Sequence, residues 1–274
     1  MFKLGLRELY SAKEVITIGD IHAGFSKLQR LWNNLGTISP DTHVVFAGDL
    51  LDRGTDVFEV LDFIIDLKQK YPGQIFIVEG NHDRFLRDYL YPEKIITDLG
   101  PWAIASNNKM WVEKHGGFQT VEAFKLRYQS ESHIDWRNAL IKDGYWQIFE
   151  DMIPYYESET LFISHAPLDG FHLWLNRFTG DEEREEFASK LLGVADYLER
   201  KLRNKFTEEV HLKIHDFDEF DLGKTFICGH QSSYKPEPRV FGNRVFLDVS
   251  NYNELYAYSS KTKKLISSKS EIDS

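Results

Sequence analysis

The chain has 274 residues, 42% of them hydrophobic and 28% charged, which is ordinary for a globular protein and long enough for one large α/β domain with a substantial core. No apolar run approaches the roughly 20 residues that span a bilayer, and the start MFKLGLRELYSAKE lacks a signal-peptide core; with one cysteine, Cys228, this predicts a cytoplasmic protein with no membrane partner. The formal net charge of -10 opposes general attraction to nucleic acid, so any phosphate-bearing substrate has to be captured locally.

EVITI at 14–18 reads as a buried strand and stops at Gly19-Asp20-Ile21-His22. A helix over 25–34 follows, its Phe25, Leu28, Leu31, Trp32 and Leu35 recurring at helical spacing. A second strand, 43–47, stops at Gly48-Asp49 and leads to a helix over 56–70, closed by Tyr71-Pro72-Gly73. The third strand ends at Glu79, before Gly80-Asn81-His82, and a short helix is expected from Asp83. This βαβαβ order predicts parallel strands covered by helices. Residues 91–158 are less regular, with helix-like stretches at 120–128 and 136–152. LFI then runs into Ser164-His165. The charged segment 181–209 carries Phe187, Leu191, Leu192, Val194 and Leu198 near helical spacing, and predicts a helical insertion or cap at about 181–222. The last fifty residues turn to β: TFIC before Gly229-His230, two strands around a Gly242-Asn243 hairpin turn, then ELYAYS and KKLISS.

Five of these strands therefore end at a small residue followed by a metal-seeking side chain. In open α/β sheets ligands bind beyond the carboxyl ends of the strands, so the five ends can pool their side chains into one site. The pooled set suits two divalent cations. Asp20 and His22, two apart in extended geometry, ligate one of them; Asp49 is the natural bridge; Asn81, His165 and His230 complete the other. Imidazole, carboxylate and amide donors without a thiolate favour manganese, with iron or zinc as alternatives. Two-metal sites generate hydroxide near neutral pH and stabilise both oxygens of an in-line displacement, which is the chemistry of phosphoester hydrolysis. Beside the ligands, Arg53 can hold two phosphate oxygens, His82 is a candidate general acid for the leaving oxygen, and Asp52 can orient it and keep it protonated.

GDIHAG, GDLLDRG and GNHD, with Ser164-His165 and Gly229-His230 downstream in order, resemble the calcineurin-like metallophosphoesterase superfamily. The DRG extension resembles its phosphoprotein phosphatase family, of the bacterial and bacteriophage serine/threonine type, over about residues 15–258. The resemblance implies a four-layer αββα sandwich forming one metallophosphoesterase domain over 1–274. It also implies the ligand sets given above and His82 with Asp52 as an acid dyad. HGGFQT at 115–120 resembles a glycine-pair motif of that branch. Trp174-Leu175-Asn176-Arg177 resembles its second arginine motif, which would make Arg177 a second phosphate clamp; a salt-bridged helix arginine is the ordinary alternative. Ala23 stands where the family usually has Gly, with Gly24 placed to take up the turn, and Asp83 stands where protein phosphatases usually have Glu.

The resemblance implies a phosphorylated protein or a small phosphoester as substrate. Two other readings are kept: hydrolysis of dinucleoside polyphosphates or other nucleotide phosphoesters, and a binding protein without catalysis. The remaining histidines read as structural, and Cys228 as a small buried strand residue.

Overall fold

The computed structural model describes residues 9–92, 101–166, 223–230, 232, 233 and 235–269. In chain order the elements are β1 (Glu14–Ile18), α1 (Phe25–Leu35), β2 (Thr42–Phe46), α2 (Val57–Lys70), β3 (Ile75–Ile77), α3 (Asn81–Leu90), α4 (Pro101–Lys114), α5 (Gly117–Tyr128), α6 (His133–Lys142) and α7 (Trp146–Glu150). They continue with β4 (Tyr155–Glu157), β5 (Leu161–Ser164), β6 (Thr225–Cys228), β7 (Arg239–Phe241), β8 (Arg244–Phe246), β9 (Tyr256–Ser259) and β10 (Lys264–Ser267). Among the described residues these strands form two five-stranded sheets, in the orders β10-β9-β1-β2-β3 and β4-β5-β6-β8-β7, flanked by helices. Among the described residues no helix is long and apolar enough to cross a membrane.

The period of two along each strand builds the layers. In the first sheet Ile16, Ile18, Val44, Phe46, Ile75, Ile77 and Ala257 pack against the helices, joined by Leu28, Leu31, Val60, Leu61 and Ile64. Their alternates Val15, Val45, Tyr256 and Tyr258 face the second sheet, where Leu161, Ile163, Ile227, Val245 and Leu247 meet them. The site's framework follows from pairing direction. β1, β2 and β3 are parallel, as are β5, β6 and β8, so the residues after Ile18, Phe46, Ile77, Ser164 and Cys228 can gather along one rim.

The structure departs from the sequence reading in four places. The helical stretch expected over 136–152 is two helices, because Gly144 takes φ 84° between them. α3 begins at Asn81 rather than Asp83, with Gly80 as its extended cap, so Asn81 and His82 occupy a first helical turn. α4 was not legible, and neither was the three-residue β4. The insertion expected at 181–222 and Arg177 lie outside the described residues.

Candidate active site

The strand ends converge through tight backbone turns. His22, Ala23, Asp49, Asp52, Arg53 and His230 all have left-handed φ, between 46° and 70°. Each such residue costs on the order of 1 kcal/mol or more and persists only where its surroundings enforce it. Here the enforcement is explicit. Ile21 and His22 N–H both donate to the Asp49 carbonyl at 3.1 and 3.0 Å, Ala23 N–H donates to Leu50, and Arg53 N–H donates to Gly116. The extended-strand argument for Asp20 and His22 is thereby corrected: the strand has ended at Ile18, and a turn, not a pleat, aims the pair. Ala23 also carries its own strain. Gly24, at φ -97°, does not take up the turn and instead leaves room for the stem of Lys27, which a Cβ there would strike.

Asp49 is the centre. Its Oδ1 lies 3.4 Å from His165 Nε2, and its Oδ2 lies 3.7 Å from His22 Nε2, so each carboxylate oxygen faces a different imidazole. Both imidazoles have Nδ1 fixed by a backbone carbonyl, His22 by Leu51 at 3.0 Å and His165 by Ala47 at 2.8 Å. That sets the tautomer and turns Nε2 toward the centre, as in metal-ligating histidines. On the Oδ1 side, Asn81 Oδ1 lies 2.9 Å from both His165 Nε2 and His230 Nδ1. Asp20 is tied by the His230 N–H at 3.0 Å to its Oδ2. Among the described residues there are two groups whose potential ligand atoms lie within 4.8 Å of one another: Asp20, Asp49 and His165, and His22, Asp49 and His82. Asp49 is common to both. All six residues expected as ligands are therefore brought together, with Asp20 falling closer to the His165 half than its spacing from His22 suggested.

The electrostatics fit a cation pair. Burial, then Asp248 and Asp49, push the Asp20 carboxyl well above its usual range. Burial also opposes charge on Asp49, but His165 and His82 outweigh it and hold that carboxyl well below its usual range. For His165, burial is outweighed by Asp49 and the pKa rises to about 10. Burial and the charge on His165 drive His230 down to about 3. His22 Nε2 is buried with no hydrogen-bond partner, a costly arrangement that a cation would relieve. The donor set of carboxylates, imidazoles and an amide suits divalent transition metals.

His82 belongs to a different machine. Its Nδ1 lies 2.7 Å from Asp52 Oδ2, and its Nε2 lies 3.3 Å from an Arg53 guanidinium nitrogen and 4.0 Å from Asp49. What sets it apart from His22 and His165 is that its Nδ1 meets a carboxylate rather than a backbone carbonyl and its Nε2 meets Arg53. Burial opposes its charge, but Asp49 and the hydrogen bond that Nδ1 donates to Asp52 raise its pKa overall. Nε2 can accept from Arg53 only while unprotonated, so an anion drawing Arg53 away would favour the imidazolium. Arg53 is exposed, and its other terminal nitrogen donates to Ser250 Oγ at 3.0 Å.

A family model for calcineurin-like phosphoesterases matches residues 14–234. The chain belongs to that family. Among solved structures this calcineurin-like phosphoesterase is similar to a protein assigned as a diadenosine tetraphosphatase (17% identity, TM-score 0.51, covering 95% of each chain). It is also similar to a cold-active protein-tyrosine phosphatase of a psychrophilic Shewanella species (18% identity, TM-score 0.51, covering 96% of this chain and 83% of that one). A third is a protein serine/threonine phosphatase from Saccharomyces cerevisiae (16% identity, TM-score 0.51, covering 93% and 78%). At these identities the likeness is one of fold.

The supporting roles of four residues escaped the sequence reading. Asp83 is fully buried and accepts from the N–H groups of Asp49 at 2.8 Å, Leu50 at 3.0 Å and Gly80 at 3.0 Å, so one carboxylate locks two of the strand-end turns together. Burial and the neighbouring Asp49 charge raise its pKa to about 7. Its place three residues after Gly80, at the head of a helix, was the available signal. Trp111 Nε1 and Thr120 Oγ1 donate to the two oxygens of Asp52, each at 2.5 Å. The HGG turn explains that reach. Gly116, at φ 83°, brings its carbonyl to Arg53 N–H, and Gly117 lies against the Trp111 ring, where any Cβ would clash. Ser250, the fourth, sits in the β8–β9 loop with no local signal.

Proposed function

We propose that this calcineurin-like phosphoesterase is a two-metal phosphomonoesterase acting on phosphorylated proteins, within whose reach seryl, threonyl and tyrosyl phosphates all fall. The observation that carries the reading is Asp49, with one oxygen toward His22 and the other toward His165. Asp20, His22 and Asp49 would hold one cation and Asp49, Asn81, His165 and His230 the other, with manganese the first expectation. Two such ions, when bound, supply Lewis acidity at the phosphoryl oxygens and a nucleophile at neutral pH.

The chain's own residues do the rest. Arg53 reaches out from a strained, buried turn with its guanidinium free to exchange its contacts to Ser250 and His82 for two phosphate oxygens. His82, with Nδ1 held by Asp52, presents Nε2 to the leaving oxygen and gives it a proton as the ester bond breaks. Asp52 has its two oxygens filled by Trp111, Thr120 and His82, so it orients the imidazole and stabilises its charge without moving. The assignment to phosphoproteins rests on the DRG sequence that supplies Asp52 and Arg53.

Purified protein with added manganese should release inorganic phosphate from phosphopeptides and from p-nitrophenyl phosphate. Release from neither would end this reading. Incubation with diadenosine tetraphosphate, followed by product analysis, separates the substrate classes: ATP or ADP formed while phosphopeptides stay intact would move the assignment to nucleotides.

A further inference from the structure

We propose that the site prefers phosphomonoesters of an aromatic alcohol, tyrosyl phosphate in a protein chain, and that Phe85, His115 and Phe118 form the wall against which the ring packs. This rests on the phosphomonoesterase reading above and narrows its substrate.

The leaving oxygen has to lie within hydrogen-bond reach of His82 Nε2, because Nδ1 is occupied by Asp52. Whatever carries that oxygen therefore begins beside the His82 ring. The surroundings of that ring are aromatic. Phe85 stands edge-on to it with centroids 6.0 Å apart, three residues along α3 and thus on the same helical face. His115 stands edge-on from the other chain segment at 6.5 Å, and Phe85 and His115 stack on each other at 5.8 Å and 22°. His115 directly precedes Gly116, whose carbonyl receives the Arg53 N–H, so the stacked pair borders both the acid and the phosphate clamp. Two residues beyond Gly116, Phe118 is 55% exposed.

Single exposed apolar residues are commonplace. Position is what distinguishes these three: two half-buried rings and one exposed ring on the two segments that carry His82 and support Arg53. A seryl leaving group extends only a short aliphatic stem past the ester oxygen and gains little from such a wall. A tyrosyl ring has its own face and edge to offer, and aromatic pairs in offset or edge-to-face geometry gain beyond simple burial.

The test uses two peptides of one sequence, differing only in phosphotyrosine or phosphoserine, with the full-length manganese-loaded protein. Because phenolate leaves more easily than an alkoxide, the readout is the change in the selectivity ratio on mutation. Phe118→Ala and Phe85→Leu should each lower kcat/KM for the phosphotyrosyl peptide about five- to tenfold, mainly through KM, and leave the phosphoseryl peptide within about twofold. Phe118 is exposed, so its variant tests the wall even where Phe85→Leu disturbs α3; unchanged melting temperatures identify variants that are folded. Equal losses on both peptides, or no loss on either, would overturn the aromatic wall while leaving the phosphomonoesterase reading standing. No phosphate release by the wild type from either peptide or from p-nitrophenyl phosphate would remove both.

Discussion

The strand-end turns and the α4–α5 hairpin contribute to one site in opposite ways. The strand ends carry every proposed metal ligand, Asn81 from the first turn of α3, and hold six non-glycine residues in left-handed backbone conformations. The hairpin carries no proposed ligand; it uses Gly116 for its own left-handed position, donates an indole N–H and a hydroxyl to Asp52, and accepts the Arg53 N–H at the Gly116 carbonyl. Strain is stored where the chemistry needs side chains crowded together, and the unstrained hairpin braces it. The two regions should therefore fail differently: damage to the turns should cost metal, and damage to the hairpin should cost turnover with metal retained.

The sharpest break is Asp49→Asn, which keeps the shape and removes the charge proposed to bridge two cations. It should lower kcat about a thousandfold or more and reduce bound manganese, measured by metal analysis beside phosphate release. His82→Asn should lower kcat about a hundredfold with KM and metal content little changed; an unchanged kcat would remove His82 as the acid. Thr120→Val, on the hairpin, takes one donor from Asp52 and should lower kcat about tenfold with full metal content. Metal loss in that variant would erase the distinction between the two regions.

A milder probe is pH. His165 holds its proton to about pH 10 under the influence of Asp49, and a cation at Nε2 has to displace it. Folded-state pKa is raised, so the protonated form persists through neutrality and competes with metal more strongly as pH falls. Manganese affinity measured by calorimetry should rise with pH between 6 and 9, by up to about tenfold per unit for one released proton. A flat profile would mean that His165 is not displaced.

The difference between the regions also decides what could be read from the sequence. A buried strand that stops at a small residue followed by Asp, Asn or His is visible because an apolar run and a polar break sit side by side. β1, β2, β3, β5 and β6 were legible for that reason, with the residues that follow them. The braces are not local. Trp111 and Thr120 reach Asp52 across 59 and 68 residues of chain, and Arg53 reaches Ser250 across 197, contacts that exist only after the sheets pair. Asp83 was visible as a departure from a motif, yet its work on three N–H groups from two turns needed the fold. Ala23 shows the reverse: the motif marked its position, but the turn expected at Gly24 falls on Ala23 itself at φ 46°, enforced by Leu50 and Asp56 through hydrogen bonds to its backbone.

If Asp49 joins two cations in a site that hydrolyses phosphomonoesters, metal binding and turnover have to rise together. Metal stoichiometry measured on the folded wild-type protein across a manganese titration, with phosphate release from p-nitrophenyl phosphate followed in the same samples, tests it most directly. Activity that rises in step with occupancy up to two equivalents per chain is the predicted result. Saturation at one equivalent with full activity, or two equivalents bound with no phosphate released, would contradict it.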